Sequence, residues 1–395
     1  MKSLNILQVV PYFYPAWAYG GPAKLVYDTS LQFAREGHRV TVYTSDAFDR
    51  NQRMPVDKRI SGIKNLRVRY FRNVSNTLSY VHNMHIQFGL LFTSIFEVKK
   101  FDCIHLHDFY TFSNVWITWL ARLYGIPYVL SVHGCLEEER VQQKSSIKKI
   151  FLFMFGNTML RGAAKVIATS ENEERAYKAF GLRKDKIVRL GHGVNRQEFA
   201  THITRNDARK KLKLAPSNIL FTYIGRIHSI KGLDLLVQAF SALKMPQAKL
   251  LIAGSDDGYL PELKKLIQNF PRKSDIVLKS SCFGQEKAKV FRASDAFVYP
   301  SRSEGFSLGI LEAASVGLPL ILSEGCHFPQ IERVKAGFVV ETSVSGLKKG
   351  MEKFCAISVE KRKEMGKRAA QFIENDFSLT VICSKLIRMY SSLQS

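Results

Sequence analysis

Residues 299–325 read YPSRSEGFSLGILEAASVGLPLILSEG. The stretch parses as the end of a strand, a glycine-containing turn, a short helix from about Ser307 to Val316, and a second apolar strand at Leu318–Leu322. Gly317 and Pro319 close the helix. Glu304 stands just before its start and Glu312 lies within it; at full helical rise the two would be ~12 Å apart along the axis. Between them, the backbone N–H groups of Ser307, Leu308 and Gly309 have no intrahelical partner, and a helix N-terminus flanked by glycines suits an anion. A carboxylate on each side of an anion site fits a ligand with hydroxyls at both ends and phosphate in the middle, the outline of a nucleotide-sugar. The alternative is that Glu304 only complements the helix dipole and Glu312 is a solvated position. Ile310, Leu311, Ala313, Ala314 and Val316 surround Glu312. An unpaired charge among them would be costly in a buried helix, which favours function.

A second pattern lies upstream. Leu220–Ile224 reads as a strand, followed by Gly225-Arg226 and Lys231-Gly232. G-R-x4-K-G after a strand offers a planar bidentate fork and a mobile point charge, a pair suited to pyrophosphate. Near the start, Leu4–Val10 is an apolar strand, Gly20-Gly21-Pro22 opens a helix running to Ala34–Arg35, and Val40–Tyr43 is the next strand. That unit can hold phosphate at the helix N-terminus, although a plain turn with proline in the first helical turn has the same letters. Further strands at Cys103–Leu106 and Pro127–Val132 end in His107-Asp108 and His133-Gly134, at the carboxyl ends where α/β sites form.

The chain has 395 residues, enough for two α/β domains. It is 46% hydrophobic with a mean hydropathy of −0.09, and no run reaches the ~18 apolar residues of a membrane span. The N-terminus reads as a first strand, not a signal peptide. Six scattered cysteines without a C-x-x-C pair point to a reducing compartment and away from structural zinc. The formal net charge is +24, divided evenly: residues 1–199 carry 28 Lys and Arg against 16 Asp and Glu, and the remainder 30 against 18. Phosphate-bearing substrates, nucleic acid and anionic membranes would all be attracted. No nucleic-acid signature accompanies the charge, so no nucleic-acid partner is expected. Residues 142–166, QQKSSIKKIFLFMFGNTMLRGAAKV, mix lysines with Phe151, Phe153 and Phe155. They read either as a membrane-surface helix or as a packed helix whose lysines reach into water. Asp46–Asn76 is basic and reads as irregular, Leu78–Val98 as one helix, and Asn195–Asn218 as a linker.

The E-x7-E pair in its EGF-x-L-x-x-LE setting, together with G-R-x4-K-G, resembles the retaining glycosyltransferases of family 4. The resemblance covers nearly the whole chain; Gly191-His192-Gly193-Val194-Asn195 is similar to the family's signature at the domain junction. It implies a GT-B fold: two Rossmann-like domains with parallel sheets facing across a cleft, at 1–195 and 196–376, and a last helix from Phe377 crossing back to the first domain. Gly309 stands where the family usually has proline. The resemblance assigns Gly21 to the approach of the donor diphosphate, and His133 to the donor sugar and phosphate. It assigns Phe283 to the nucleobase, Phe306, Ser307 and Leu308 to the donor, Glu312 to the ribose and Glu304 to the sugar. Arg226 and Lys231 would take the leaving-group charge, so His133, Glu304, Arg226 and Lys231 form the expected catalytic set. No metal and no cofactor are expected, the nucleotide-sugar being a co-substrate. The expected acceptor is a glycan or lipid-linked molecule of envelope polysaccharide or lipopolysaccharide synthesis. The expected location is cytoplasmic, including the inner face of the plasma membrane. The competing readings are a GT-B nucleotide-sugar epimerase and a non-catalytic basic protein that binds membrane or nucleic acid.

Overall fold

The computed structural model describes residues 2–16, 21–49, 51–82, 85–136 and 146–394. The chain divides into two compact units, Met1–Gly193 with Leu379–Ser395, and Val194–Ser378.

The first unit is built on seven parallel strands in the order β3-β2-β1-β4-β5-β6-β7. These are β1 Asn5–Val9, β2 Arg39–Ser45, β3 Leu66–Phe71, β4 Cys103–His107, β5 Tyr128–Ser131, β6 Lys165–Ala168 and β7 Ile187–Arg189. Its helices are α1 Gly21–Arg35, α2 Asn76–His82, α3 Phe88–Glu97, α4 Phe112–Leu123, a composite α5, and α6 Glu171–Ala179. α5 runs through Ser146–Phe151, a π-helical turn Leu152–Gly156 and Asn157–Gly162. β1 lies between β2 and β4, with Leu7 opposite both Thr41 and Ile104. Helices on both faces explain why the central strands, such as β1 and β5, are mostly buried runs with little alternation. α3 to α6 bury Leu90, Leu120, Leu160 and Tyr177 on one face, against Leu106 and Leu130. α1 and the final helix bury Val26, Phe33, Leu386 and Tyr390 on the other, against Ile6 and Val129.

The second unit carries six parallel strands in the order β10-β9-β8-β11-β12-β13. They are β8 Ile219–Ile224, β9 Ala248–Ala253, β10 Ile276–Lys279, β11 Ala296–Tyr299, β12 Leu320–Ser323 and β13 Gly337–Val340. The helices are α7 Arg205–Lys211, α8 Leu233–Ser241, α9 Leu260–Gln268, α10 Gly284–Ala293, α11 Leu308–Ser315, α12 Gln330–Arg333, α13 Val344–Ala356 and α14 Val359–Phe377; α15, Leu379–Ser392, returns to the first unit. Each sheet reverses its strand order beside its first strand, between β1 and β4 and between β8 and β11. In doubly wound sheets, ligands bind outside the carboxyl ends of the strands at such a point.

Four sequence expectations need correction. Asp46–Asn76 contains β3, whose LRVRYF places arginines between apolar residues at period two, an edge-strand pattern hidden by its charge. Leu78–Val98 is two helices, because the chain turns between them to give Ile86 O to the N–H of Val74. Asn195–Asn218 is no linker. α7 is capped by the Thr204 side chain, and its Arg209 is buried, donating to the carbonyls of Ala293, Ala215 and Asn218. The expected 142–166 helix is broken by the π turn. It turns Phe151, Met159 and Leu160 into the core while Phe153 is 86% exposed; residues 142–145 lie outside the described residues.

α11, the helix of the opening stretch, ends at Gly317 (φ +83°), and α14 crosses that turn at Gly366. A Cβ on residue 366 would come to 2.1 Å from Gly317 O. Alanine there gains about 1 kcal/mol of helix propensity, whereas overpacking against a fixed carbonyl costs roughly 1–3 kcal/mol. Gly366→Ala should therefore lower the urea stability of the second unit, by up to ~2 kcal/mol net. A neutral or stabilising result would show that α14 is free to shift away.

Candidate functional site

In the second unit, the loops after β8, β11 and β12 are stacked through close backbone contacts. Gly232 has φ +66°, and a Cβ there would meet Pro300 O at 2.1 Å. Gly325 lies so close to Ser301 and Arg302 that its Cβ would be 2.4 Å from both carbonyl oxygens. Arg302 N–H donates to Ile230 O (2.8 Å), the Arg302 guanidinium grips Asp234 in a two-pronged bond, and Glu304 N–H donates to Gly325 O (2.9 Å). This packing places Lys231 on Glu304. The Lys231 ammonium and the Glu304 carboxylate form an ion pair with 7% and 8% of their side chains exposed.

The other expected charges are also engaged. Glu312 pairs with Lys287, one turn into α10, and Arg226 pairs with Asp257 beyond β9. The sequence reading missed both partners. Asp257 was legible as an acid in the Asp256-Asp257-Gly258 turn after a strand, whereas Lys287 has no pattern of its own. Tyr299 joins the two halves of the cluster: its ring lies under Lys231 Nζ at 5.8 Å, and its hydroxyl is hydrogen-bonded to the Ser307 side chain. Burial first, and the Glu304 carboxylate second, push the phenol groups of Tyr299 and Tyr223 well above their ordinary pKa.

Ser307 is the N-cap residue of α11, but its side chain does not cap the helix. α4, α6, α7, α13 and α14 each have a side-chain cap. The first turn of α11 thus presents its amides without an acceptor from its own cap. Gly309 accounts for the missing proline, since its Cβ position is already 3.1 Å from Ile224 O. Phe283 is 45% exposed at the start of α10. Phe306 instead packs on Phe328 and Phe377 at 5.6 and 5.5 Å between ring centroids, in an aromatic cluster of the core. Gly21 is the exposed first residue of α1, and Gly20 lies outside the described residues.

His133 belongs to the first unit, on a left-handed turn (φ +53°) just past β5. Its ring is set by a chain of contacts. Gln8 Oε1 accepts from His107 Nε2 (2.6 Å), and His107 Nδ1 lies 3.2 Å from His133 Nε2. Burial holds the His107 pKa well below its ordinary value, so that ring is neutral and its Nδ1 is an acceptor. His133 therefore carries its proton on Nε2 and keeps a lone pair on Nδ1. That Nδ1 is buried and has no hydrogen-bond partner among the described residues. Glu173, buried, fixes the adjoining turn by accepting from Gly134 N–H and Thr169 N–H, both 2.7 Å, and from the hydroxyls of Thr169 and Tyr177, both 2.8 Å. Sequence reasoning missed Glu173; the S-x-x-E pattern from Ser170 reads as a helix cap and hides its second use. Beyond His107, the Asn114 amide holds the turn by donating to the carbonyls of His107 and Asp108.

The model for Glycosyltransferase Family 4 matches residues 19–198, and that for Glycosyl transferases group 1 matches residues 204–372. The chain belongs to this family of glycosyltransferases. An uncharacterized glycosyltransferase of Methanocaldococcus jannaschii is 26% identical over 80% of both chains. The UDP-Gal:alpha-D-GlcNAc-diphosphoundecaprenol alpha-1,3-galactosyltransferase of Escherichia coli is 28% identical, over 58% of this chain and 59% of that one. The GDP-mannose:cellobiosyl-diphosphopolyprenol alpha-mannosyltransferase of Xanthomonas campestris is 29% identical, over 58% and 57%. The match thus spans under two thirds of the length of these last two relatives. Among solved structures, HepE of Anabaena in complex with UDP and glucose superposes with a TM-score of 0.76 at 18% identity, over 98% of this chain and 100% of that one. WaaG, a glycosyltransferase involved in lipopolysaccharide biosynthesis, gives 0.69 at 15% identity, over 98% and 99%. The fold is GT-B.

Two outcomes follow from the charges and the histidines. Removing one partner of a buried ion pair strands the other, at a cost of about 3–5 kcal/mol, whereas replacing both is close to neutral. Lys231→Met should therefore destabilise the second unit in urea by that order, and Lys231→Met with Glu304→Gln should recover most of the loss. Equal stability of the single variant and the wild type would show that the pair is solvated.

His85 and His105 are buried, and burial pushes their pKa values down to about 4 and about 3; the Asp108 carboxylate partly offsets this at His85, while the charge of His133 adds to it at His105. These values lie below the ordinary value of 6.5, so the unfolded chain binds more protons in acid. The stabilisation is complete above pH ~6.5 and shrinks as pH falls, by roughly 2 kcal/mol for each ring at pH 5. All three tryptophans, Trp17, Trp116 and Trp119, lie in the first unit, so their emission follows that unit alone. The urea midpoint read by tryptophan emission should drop between pH 7 and pH 5; an unchanged midpoint would mean that these rings charge without unfolding.

Proposed function

We propose that the chain moves a sugar, with retention at the anomeric carbon and without a metal ion, from a UDP- or GDP-type nucleotide-sugar to a glycan or lipid-linked acceptor in envelope polysaccharide or lipopolysaccharide synthesis. The observation that carries this reading is the buried contact of Lys231 with Glu304 and the partly buried contact of Lys287 with Glu312, around an uncapped helix N-terminus at the switch point of the second sheet. The named donors of the Escherichia coli and Xanthomonas relatives, UDP-galactose and GDP-mannose, and their diphosphopolyprenol-linked acceptors support the donor and acceptor classes.

In this reading the bond from the anomeric carbon to the diphosphate oxygen breaks, leaving negative charge on the phosphate. Arg226, Lys231 and the amides at the start of α11 receive that charge. The acceptor hydroxyl attacks from the same face through an oxocarbenium-like state, and its proton passes to the departing phosphate oxygen. Glu312 holds the ribose, and Glu304 orients the sugar. The role assigned to His133 is to accept a sugar hydroxyl at Nδ1. Attachment at the cytoplasmic side of an anionic membrane belongs to the same reading.

A thermal-shift series over UDP-, GDP-, ADP- and TDP-sugars tests it, because a ligand at 100 times its Kd adds about 2.7 kcal/mol. One donor class should raise Tm, and Glu312→Gln should weaken binding of the free nucleoside diphosphate by ~10-fold or more, the scale of one lost charge-assisted contact. Glu304→Gln should leave that affinity within about threefold while turnover falls. No shift with any donor sinks the proposal; equal loss of nucleotide affinity in both variants reverses the assigned donor orientation.

A further inference from the structure

On one side of the first unit, the chain departs from the usual rule for surface helices. α3 buries only Leu90 and Ser94 and turns the stripe Phe88, Phe92 and Phe96 outward, at 62–70% exposed. These residues lie four apart, on one line along the helix. α4 adds Trp119 and Leu123, and α5 adds Phe153, all exposed. The three helices are neighbours. Trp116 Nε1 of α4 donates to Leu91 O and Ser94 Oγ of α3, and Phe112 of α4 meets Phe151 of α5. All three pack their inner sides into the same cluster on one sheet face, so their outer sides look the same way. Single exposed apolar residues need no explanation, but six large ones on three neighbouring helices mark a binding surface.

The charges on this side select the partner. Arg122, Lys149 and Arg161 are exposed on α4 and α5, and Lys99 and Lys100 follow α3. The one carboxylate within α3, α4 and α5 is Glu97, already bonded to Arg69 and Tyr43. An aromatic surface whose three helices carry exposed cations and, among the described residues, no free carboxylate of their own complements headgroup phosphates over acyl chains. A second copy of the chain would instead oppose Arg122, Lys149 and Arg161 to themselves, in a molecule of net charge +24. We propose that the outer face of α3, α4 and α5 docks on an anionic phospholipid bilayer, with the aromatic stripes seated among the headgroups and the flanking cations on the phosphates. The proposal deepens the lipid-linked reading of the acceptor and rests on that reading for its purpose.

The test is co-sedimentation with vesicles of phosphatidylglycerol and phosphatidylcholine in roughly equal parts, and of phosphatidylcholine alone. The wild type should bind the anionic vesicles, and less tightly at about 0.5 M salt. Phe92→Asp with Phe96→Asp, at two exposed positions, should lower the bound fraction by about tenfold or more at both salt levels. The circular dichroism and the Tm rise with nucleoside diphosphate should remain those of the wild type. Unchanged vesicle binding by the double variant overturns the proposal, as does absence of wild-type binding at low salt. A dimer that the double variant dissociates, with no vesicle binding, assigns the face to a second copy and overturns it equally. Loss of docking with an intact nucleotide response leaves the glycosyltransferase reading standing; docking with no nucleotide response removes that reading and not this face.

Discussion

The contact between Lys231 and Glu304 is the constraint on which the second unit's site depends. Two opposite charges on loops 73 residues apart are removed from water together. Such burial is tolerable only where the geometry is fixed, because the desolvation cost of each ion falls due if the other moves away. The fold supplies that geometry through residues without side chains. Gly232 brings the loop after β8 against Pro300, and Gly325 brings the turn after β12 against Ser301 and Arg302. A Cβ at either position would collide with those backbone carbonyls and force the layers that hold the ion pair to shift. The glycines of the motif thus serve the packing of backbone on backbone, and the charges follow.

The first unit solves a similar problem with neutral groups. His105, His107 and Gln8 are buried side by side, and burial keeps the two rings uncharged. Buried imidazoles require partners, and these come from far along the chain. Ser131 serves one nitrogen of His105, while Tyr390 of the last helix serves the other at 2.6 Å across 285 residues. His133, at the edge of this group, inherits a defined tautomer from the chain through His107 to Gln8. The final helix is therefore part of the polar interior of the first unit as well as of its apolar core.

Charge has two distinct uses in the molecule. In the second unit the two cations named by sequence pattern are each bound to a carboxylate, Arg226 to Asp257 and Lys231 to Glu304, and Lys287, which no pattern named, is bound to Glu312. On α4 and α5 of the first unit, exposed cations border apolar side chains, an arrangement suited to a surface and not to a pocket.

How much was legible in the chain follows from the range of the forces involved. Strand runs such as ILFTYI at β8 and the helix after Glu304 are local, set by apolar periodicity and by Gly317 and Pro319, and they could be read directly. Two α/β domains were legible for the same reason, from repeated strand–helix units over 395 residues, whereas the GT-B architecture was legible only through the family resemblance of the E-x7-E and G-R-x4-K-G motifs. Local charge misled where it masked periodicity, as in LRVRYF at β3, and where a charged segment packs, as with Arg209 in α7. Pairing could not be read at all. Nothing near Glu312 in sequence names Lys287, and nothing near His133 names Gln8, because those contacts exist only once parallel strands carry distant loops to the same edge. The sequence by itself determined which residues carry charge and which glycines lie beside them. The tertiary structure alone decided which charges meet, which rings stay neutral, and which aromatic residues face outward.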